Sequence, residues 1–469
     1  MLKQEPDSMM VGYAYTDDNG QYELSYSGEN DDLLVSVSGL AIGTQMKKVK
    51  NKSQTVDFIV EEKEFQLNEV VVKAPKIYYS HDTLNYLVSA FSDENDVSIG
   101  EVLKKMPGID VAESGEISYQ GKSINKFYIE NLDLLNGRYG IATQNISPKD
   151  ISTVQILENH QPIKAIDSLQ ISDKAAINLK LKEGAKGVLA LMLQAGIGAG
   201  VAPLLWDNEL TAMYFTRKNQ HIAVGKTNNT GNDLTNELRS FNTSLDLTAE
   251  SFTHIVMPSP PDINKSRYLF NNSNAVVTNN LFTVGQNKEF NFNVIYYNDY
   301  EKRESEARSS YFLTSDSLLI VDENIRSSRN TNRLETEIRL SENSETRYLN
   351  NFFRLESLWE NDNGTIWTEP TVNQQLRQPS IKMEYTFHWI AKTDKAGFEI
   401  LSQNGFRNFT QNLTVSPGLY ADRLNNGSPY SSVQQDVHAN TFVSQNRFAW
   451  LSPFFIGKIS VSPVLGFGF

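Results

Sequence analysis

The sequence predicts a mainly β protein with a small N-terminal β domain, a small α+β unit and a long series of antiparallel β-hairpins. Three observations support this fold class. Short alternating segments separated by turn residues occupy residues 10–60. Within residues 99–135 the apolar period changes from that of a helix to that of a strand. After residue 188, alternating segments are joined by connections of very unequal length.

Length and composition exclude several classes of protein. A chain of 469 residues is too long for one ordinary hydrophobic core, so at least two domains are expected. The net charge of −13 argues against a nucleic acid as the main partner. Because the chain has no cysteine, disulfides, a thiol nucleophile and thiolate metal sites are excluded. No apolar run reaches the ~18 residues of a transmembrane helix, so none is predicted.

The two ends of the chain favour a piece of a longer protein. The start, MLKQEPDSMM, lacks the basic and then apolar pattern of a secretory signal. The end, VSPVLGFGF, has the pattern of a strand without a closing turn. A soluble protein is the alternative, but we expect a fragment that is open at both ends.

The N-terminal part is a series of short strands. A glycine-containing turn at 17–20 leads into the alternating segment 21–26, and further strands are predicted at 33–37 and 55–60. The run TDDNGQYEL resembles the hairpin signature T-D-x-x-G-x-Y/F-x-L of the carboxypeptidase regulatory-like β-sandwich. This resemblance covers residues 1–64, lacks the family's first strand, and implies a non-catalytic accessory domain.

No catalytic or cofactor site is evident in the sequence. The histidines are scattered, without a glutamate at metal-ligand spacing on a shared helix. They are His81, His160, His221, His254, His388 and His438. The glycine-rich segment 136–140 lacks the Lys-Ser/Thr of a phosphate loop, so a plain loop is predicted. We find no nucleophile–base pair and therefore predict that the protein is not an enzyme and has no cofactor or metal.

The segment 65–76, FQLNEVVVKAPK, contains a compact β-branched run between two domains. On pattern alone, an ordinary strand of the adjacent domain is the simpler interpretation. Its position between domains favours a detachable strand that adds to the edge of a partner's sheet. The residues of this candidate binding strand are Leu67, Asn68, Glu69, Val70, Val71 and Val72.

The α+β unit begins with a short helix that proline and glycine at 107–108 terminate. The apolar positions of that helix are Ile99, Val102, Leu103 and Met106. A hairpin follows within 109–129, and a Ser-Pro pair at 147–148 has the pattern of a helix cap. Alternation then predicts strands within 151–157 and 175–182.

The order of a helix, MPGIDV, a hairpin, DISTVQILENHQP and AAINLKLKEG resembles the plug domain of TonB-dependent outer-membrane receptors. In that family the corresponding pieces read P-G-V-x-V, I-E-V-L-x-G-P and G-x-I-N-I-x-T/L-K. LNEVVVKA resembles the TonB box, and the order of domains resembles the receptors of Bacteroidetes. The chain departs from the family in two places. Residues 130–133 replace the family's acidic-glycine turn, and residues 159–162 replace its Gly-Pro element. Because of these departures, no substrate is inferred.

The second half has the pattern of an outer-membrane barrel. Segments such as 289–294 alternate cleanly. The short turns are at 216–220, 285–288, 341–345 and 393–397, and the long connections are at 228–265 and 416–434. We count about eleven strands, roughly half of a large plugged barrel. The soluble alternative is a β-sandwich or a propeller, and the uneven turn spacing disfavours the propeller. Aromatic residues near predicted strand ends, at 352–353, 359, 389, 450 and 454–455, favour a membrane protein.

These interpretations give four predicted regions. The fold class is mainly β, with an N-terminal β-sandwich, a small α+β plug domain and part of an antiparallel transmembrane β-barrel. The boundaries are 1–64 for the regulatory-like domain, 65–76 for the TonB-box-like linker, 77–187 for the plug, and 188–469 for the barrel.

The resemblance implies an outer-membrane receptor that imports a bulky nutrient (a glycan, peptide or chelate) by TonB-driven rearrangement of the plug. The implied partners are the periplasmic C-terminal domain of TonB and outer-membrane lipid, and a surface lipoprotein is left open. One alternative is a structural or adhesive outer-membrane barrel protein that does not transport. Another is a soluble periplasmic or surface-bound binding protein.

Overall fold

A computed structural model describes residues 1–4, 9–39, 41–62, 75–112, 114–199, 204–242, 245–247, 251–314, 317–393, 396–452, 454–456 and 458–469. They belong to two compact units, Met1–Ala74 and Pro75–Phe469. The structure is mainly β, as the sequence predicts. The candidate binding strand, residues 67–72, lies outside the described residues.

The first unit contains one antiparallel sheet of four strands in the order β2-β1-β3-β4 among its described residues. The strands are β1 Leu2–Gln4, β2 Met9–Gly12, β3 Asp32–Gly39 and β4 Ile42–Lys50. Leu2, Leu33 and Val35 form its buried cluster. Sequence reasoning missed β4, whose residues alternate little between apolar and polar.

Two segments predicted as strands in this unit join no ladder. Residues 21–26 and 55–60 have no strand assignment, although Tyr22 and Phe58 pack against the buried cluster. The Tyr22 hydroxyl donates to the Val56 carbonyl at 2.6 Å. Alternation in these segments therefore reflects side chains that cover a cluster, without the backbone pairing of a strand.

The second unit begins with a small α+β part, residues 77–187, which we call the inner unit. Its elements are β5 Ile77–Ser80, β6 Thr83–Leu87, α1 Ile99–Leu103, β7 Ile109–Val111, β8 Ile117–Tyr119, β9 Lys122–Ser123, β10 Lys126–Ile129, α2 Gly140–Asn145, β11 Ile151–Leu157 and β12 Ala176–Leu181. Short 3₁₀ turns lie at Val88–Ala90, Pro148–Asp150, Lys164–Ile166 and Glu183–Ala185. The strands form a five-stranded sheet, β10-β12-β11-β6-β5, and a three-stranded sheet, β7-β8-β9.

The predicted helix of the inner unit is confirmed as α1. It ends at Leu103, before the predicted stop at 107–108, so Met106 lies beyond the helix; all four predicted apolar residues are buried. A capping box begins the helix, since the Glu101 carboxylate accepts from the Ser98 backbone N–H at 3.3 Å. Gly108, between α1 and β7, has a φ of +81°, which favours glycine. The Ser147 side chain accepts from the Lys149 N–H, as the predicted cap requires.

The rest of the chain forms a large antiparallel sheet. Its elements in chain order are β13 Leu189–Gly198, β14 Leu205–Phe215, β15 Asn219–Asn228, α3 Thr235–Leu238, β16 Phe270–Thr283, β17 Lys288–Thr314, β18 Ser317–Asn343, β19 Arg347–Trp367, β20 Val372–Lys392, β21 Gly397–Ser416, α4 Ala421–Leu424, β22 Val433–Trp450, β23 Phe454–Ile456, β24 Ile459–Val461 and β25 Val464–Gly468, with a 3₁₀ turn at Lys265–Arg267. Within the described residues, β13 to β22 pair in chain order and β25 follows β22, which gives 11 strands.

The two long connections occur as predicted, but not every connection on that edge is long, since β19 ends at Trp367 and β20 begins at Val372. Tight turns join β14 to β15, β16 to β17, β18 to β19, and β20 to β21. On the opposite edge, residues 229–269 and 417–432 are long connections. β17 and β18 have 27 residues each, so this hairpin extends far beyond the 10 residues of β13.

The outer face of the sheet is mainly apolar. On β13 the exposed side chains include Leu189, Leu191, Leu193 and Ile197. Of the aromatic residues expected near strand ends, Phe353 and Trp359 are on the outer face, whereas Phe352 lines an inner cavity. No helix among the described residues is long and apolar enough to cross a membrane.

Polar side chains on the outer face of β21 and β22 satisfy one another. Ser402 donates to Asn446, Asn446 to Ser444, Ser444 to Asn404, and Asn404 back to Ser402, at 2.7–3.0 Å. The closed ring gives each of these polar groups a hydrogen-bond partner.

The sheet curves around the inner unit. Asn145 of the inner unit contacts Thr211 on β14, and the Gln220 side chain on β15 donates to the Ile129 carbonyl. At the other side, Lys392 on β20 donates to Ser168 of the inner unit. Seven neighbouring strands would span roughly 29 Å if they were flat. One small unit contacts both extremes, so the sheet wraps around it.

We predict that an arginine on the outer face opposes insertion into a bilayer. Leu193 is 74% exposed in the middle of the outer face of β13. Because the sequence predicts that this face contacts lipid, we expect Leu193→Arg to lower the stability in a bilayer by about 2–4 kcal/mol. Gln194→Arg, one residue along on the inner face, should change the stability by less than about 1 kcal/mol. Urea titrations in lipid vesicles measure both. Equal effects would contradict a lipid-facing outer surface.

Candidate functional site

The candidate site is the interface between the inner unit and the inner face of the sheet. A tight loop at 136–139 enters this interface just before α2. Asn136 and Gly137 have φ values of +45° and +88°, so the chain reverses sharply there. The reversal directs Arg138 into the sheet, where its side chain is 0% exposed.

Arg138 forms a buried ion pair with two glutamates of β18. Glu335 and Glu337 are two residues apart, so both point to the inner face of that strand. The Arg138 guanidinium contacts both oxygens of Glu337, at 2.5 and 2.8 Å, and also donates to Glu335. This two-pronged geometry suits arginine and no other cation in proteins.

Neighbouring arginines compensate the remaining charge on the glutamates. Arg354 on β19 donates to Glu335 at 2.7 Å, and Arg333 donates to the other oxygen of Glu335 at 2.6 Å. We call Arg138, Glu335, Glu337 and these two arginines the arginine–glutamate cluster. Removing ions from water is costly, and only close pairing offsets that cost. The inner unit is therefore held by charges that must remain paired.

A second ion-pair cluster lies beside the first. Asp133 of the inner unit accepts from Lys126 at 2.6 Å and from Arg339 on β18 at 3.0 Å. Arg339 also contacts Glu289 at 3.2 Å. Burial would raise the pKa of the Asp133 carboxyl, but Lys126 and Arg339 outweigh it and hold that pKa well below its usual range. Asp133 is therefore ionised at neutral pH.

Two cavities lie beside these clusters, against the middle of β19 and β20 and the half of those strands next to their tight turns. One has a volume of about 270 Å³ and is lined by Asn136, Asn242, Arg339, Tyr348 and Arg354, among others. The other, of about 400 Å³, includes Leu247, Glu356, Lys382 and Arg407 in its lining. Residues of the connection 229–269 line both cavities, so this connection lies between the inner unit and the sheet.

His160 occupies a third polar position in the inner unit. Its Nε2 lies 3.0 Å from the Tyr128 hydroxyl. Burial, together with the nearby positive charge of Lys126, lowers the pKa of His160 to about 4. The imidazole is therefore neutral at physiological pH. Among the described residues, no group of three or more His, Cys, Asp or Glu side chains could hold a metal ion.

Sequence reasoning did not find these contacts. The segment 136–140 was expected to be a plain loop, yet its Arg138 is a fully buried charge, and α2 begins within it. A usable signal existed in the run RLETEIR at 333–339, where charged residues occupy every second position of a strand. Such a pattern indicates a polar partner facing that strand. The predicted binding strand at 67–72 stays a prediction.

Both departures from the resembling family have local roles in the structure. In 130–133, the Glu130 carboxylate accepts from the Leu181 N–H at 2.7 Å, and Asp133 belongs to the second cluster. In 159–162, His160 contacts Tyr128. The substituted segments therefore connect the strands of the inner unit to one another and to the sheet.

No protein-family profile and no curated protein matches the chain. Among solved structures it is similar to the ferric yersiniabactin uptake receptor FyuA from Yersinia pestis, with 12% identity and a TM-score of 0.36 over 78% of this chain and 62% of that one. It is similar to BauA, the ferric preacinetobactin receptor from Acinetobacter baumannii, with 12% identity and a TM-score of 0.34 over 82% and 60%. It is also similar to the ferric citrate transporter FecA, with 9% identity and a TM-score of 0.32 over 78% of this chain and 60% of that one.

The chain thus spans about 60% of the length of these receptors. Likeness at this level concerns only the outline of the fold.

We predict that losing Arg138 loosens the inner unit. Arg138→Ala leaves two buried glutamates without their shared partner, so the free energy that holds the inner unit should fall by about 3–5 kcal/mol. Arg308→Ala is the matched control, since its ion pair with Asp322 is exposed and should contribute at most about 1 kcal/mol. Urea dependence of amide hydrogen exchange in β11 and β12 measures both. A similar loss of stability in Arg138→Ala and Arg308→Ala would contradict the idea that burial makes the Arg138 ion pair important.

We predict that acid weakens the inner unit through His160. The pKa is 6.5 without the fold and about 4 within it, so the unfolded state binds the proton first as the pH falls. Stability should be complete above pH 6.5 and decline as the pH falls towards 4. In His160→Gln this part of the decline should disappear while a polar group still faces Tyr128. Hydrogen exchange of β11 and β12 at pH 7 and pH 5 tests this. An unchanged slope in the variant would refute it.

Proposed function

We propose that this chain is part of a TonB-dependent outer-membrane receptor that imports a bulky nutrient by rearrangement of the inner unit. The observation that carries the proposal is the inner unit itself, which lies within a curved antiparallel sheet. Buried ion pairs between Arg138 and β18, and between Asp133 and Arg339, hold it there. An α+β unit in this position obstructs the space that the sheet encloses.

The chemistry of the interface suits a unit that moves. Arg138, Asp133 and their partners regain hydration when they separate, which lowers the cost of separation below that of a wholly apolar contact. The inner unit and the sheet also share an apolar core, which includes Ile129, Ile222 and Ile295. Together these contacts support an obstruction that is firm at rest and yields under an applied force.

The force would enter through the candidate binding strand. In this proposal, residues 67–72 add to an edge strand of the periplasmic C-terminal domain of TonB, because backbone pairing needs no large side chains. The strand precedes β5, whose residues Ile77–Ser80 are exposed. β5 is the outer strand of the five-stranded sheet, so tension on the linker would reach that sheet at its edge.

The ligand would bind beside the connection 229–269, which lines both cavities. The two cavities beside the clusters are lined mainly by polar and charged side chains, which suits a hydrophilic ligand such as a glycan, a peptide or a chelate. The apolar outer face of the sheet would contact outer-membrane lipid. Membrane fractionation tests this location, since a barrel protein resists extraction by salt and high pH.

We predict that proline within the binding strand abolishes TonB binding. Val71→Pro removes a backbone donor and disfavours pairing on the partner's edge, so affinity for the TonB periplasmic domain should fall at least about tenfold. Val71→Thr keeps the β-branched shape and should stay within about threefold. Titration calorimetry with the purified chain measures both. Equal affinity for the proline variant and the parent chain would exclude this segment.

The same substitutions test transport in the full-length gene. Cells that depend on the receptor are grown on panels of glycans, peptides and ferric chelates as limiting nutrients. Growth on one nutrient class should require the receptor and be lost with Val71→Pro, but kept with Val71→Thr. Growth that needs the receptor and tolerates Val71→Pro would favour a protein that does not use TonB.

A further inference from the structure

The connection between β15 and β16 contacts the inner unit at the loop that presents Arg138. Phe241 stacks on Tyr139 with ring centroids 4.7 Å apart and an interplanar angle of 12°. The Phe241 backbone N–H donates to the Gly137 carbonyl at 3.1 Å. Asn242 donates from its side chain to the Asn136 carbonyl at 2.6 Å. These contacts involve the residues on both sides of Arg138.

A second set of contacts anchors this part of the connection to β15 and α2. Glu237 on α3 pairs with Lys226 of β15 at 2.8 Å and accepts from Asn145 of α2. Leu234 and Leu238 are buried in the core shared with the inner unit. Residues 231–242 therefore contact β15, α2 and the loop that presents Arg138.

The inner unit has glycines where residues 231–242 come closest. A Cβ on Gly140 would lie 2.8 Å from the Glu237 carbonyl oxygen, too close for any side chain. A Cβ on Gly137 would lie 2.6 Å from the Asn242 side chain. Close approach of two backbones is a common reason for glycine at such positions. Glycine at 137 and 140 therefore allows residues 231–242 to pack closely against the inner unit.

We propose that residues 231–242 form a clamp on the loop that presents Arg138. In this proposal, Arg138 separates from Glu335 and Glu337 only after the clamp has left the loop. Phe241 is the positioning residue, because its ring and its backbone hold the two neighbours of Arg138. The inference rests on the proposed function, since it names the contact that must open before the inner unit can move. In this proposal, the connection between β15 and β16 controls when the inner unit can move.

The test is hydrogen exchange of the purified full chain in detergent micelles. Phe241→Ala should speed exchange at least about tenfold at Ile141, Thr143 and Ile146, whose N–H groups donate within the loop and α2. Exchange in β11 and β12 should stay within about twofold. Phe241→Tyr keeps the stack and should restore the parent rates. Phe270→Ala is the control, since Phe270 lies beyond the same connection and is 73% exposed.

A double substitution tests whether the clamp acts on the ion pair. Glu337→Gln weakens the hold on Arg138, and its effect on exchange at 141–146 should be at least about fivefold larger with Phe241→Ala than with the parent Phe241. Independent effects, or faster exchange spread evenly over β11 and β12, would overturn the clamp. These measurements use no TonB, so failure of the clamp leaves the Val71→Pro titration standing, and the reverse also holds.

Discussion

The pairing of Arg138 with Glu335 and Glu337 is the constraint on which the second unit depends. All three side chains are withdrawn from water, and each charge is tolerable there only while its partners are in place. The loop at 136–139, the alternation of β18 and the arginines of β18 and β19 must therefore agree in one geometry. This requirement fixes the position of the inner unit against one strand of the sheet, which apolar contacts alone would leave less specific.

The same interface combines two kinds of attachment. Isoleucines such as Ile129, Ile222 and Ile295 supply a shared apolar core, which resists separation in proportion to the area that returns to water. The arginine–glutamate cluster and the Asp133–Arg339 pair add direction, because ions pair well in only a few arrangements. Phe241, in the connection between β15 and β16, stacks on Tyr139, which follows Arg138. The interface therefore combines apolar area with directional ion pairs.

Local pattern predicted the elements well where one side of an element is buried. Helix α1, the capped turn after Ser147, and the unequal connections of the sheet all follow from periods and turn residues. The pattern failed for residues 21–26, whose alternating side chains cover a cluster without backbone pairing. It failed again at 136–140, because a loop's composition does not reveal what its one long charged side chain will contact.

The sequence by itself determined the mainly β fold class and the tight turns of the large sheet, and the strand-adding role of residues 67–72 stays a prediction. These properties depend on neighbours within about ten positions along the chain. Only the tertiary structure decided which charges meet. Arg138 and Glu337 are 199 positions apart, and Tyr139 and Phe241 meet through a connection whose sequence has no regular period. Such contacts arise from the curvature of the sheet around the inner unit, which no local period encodes.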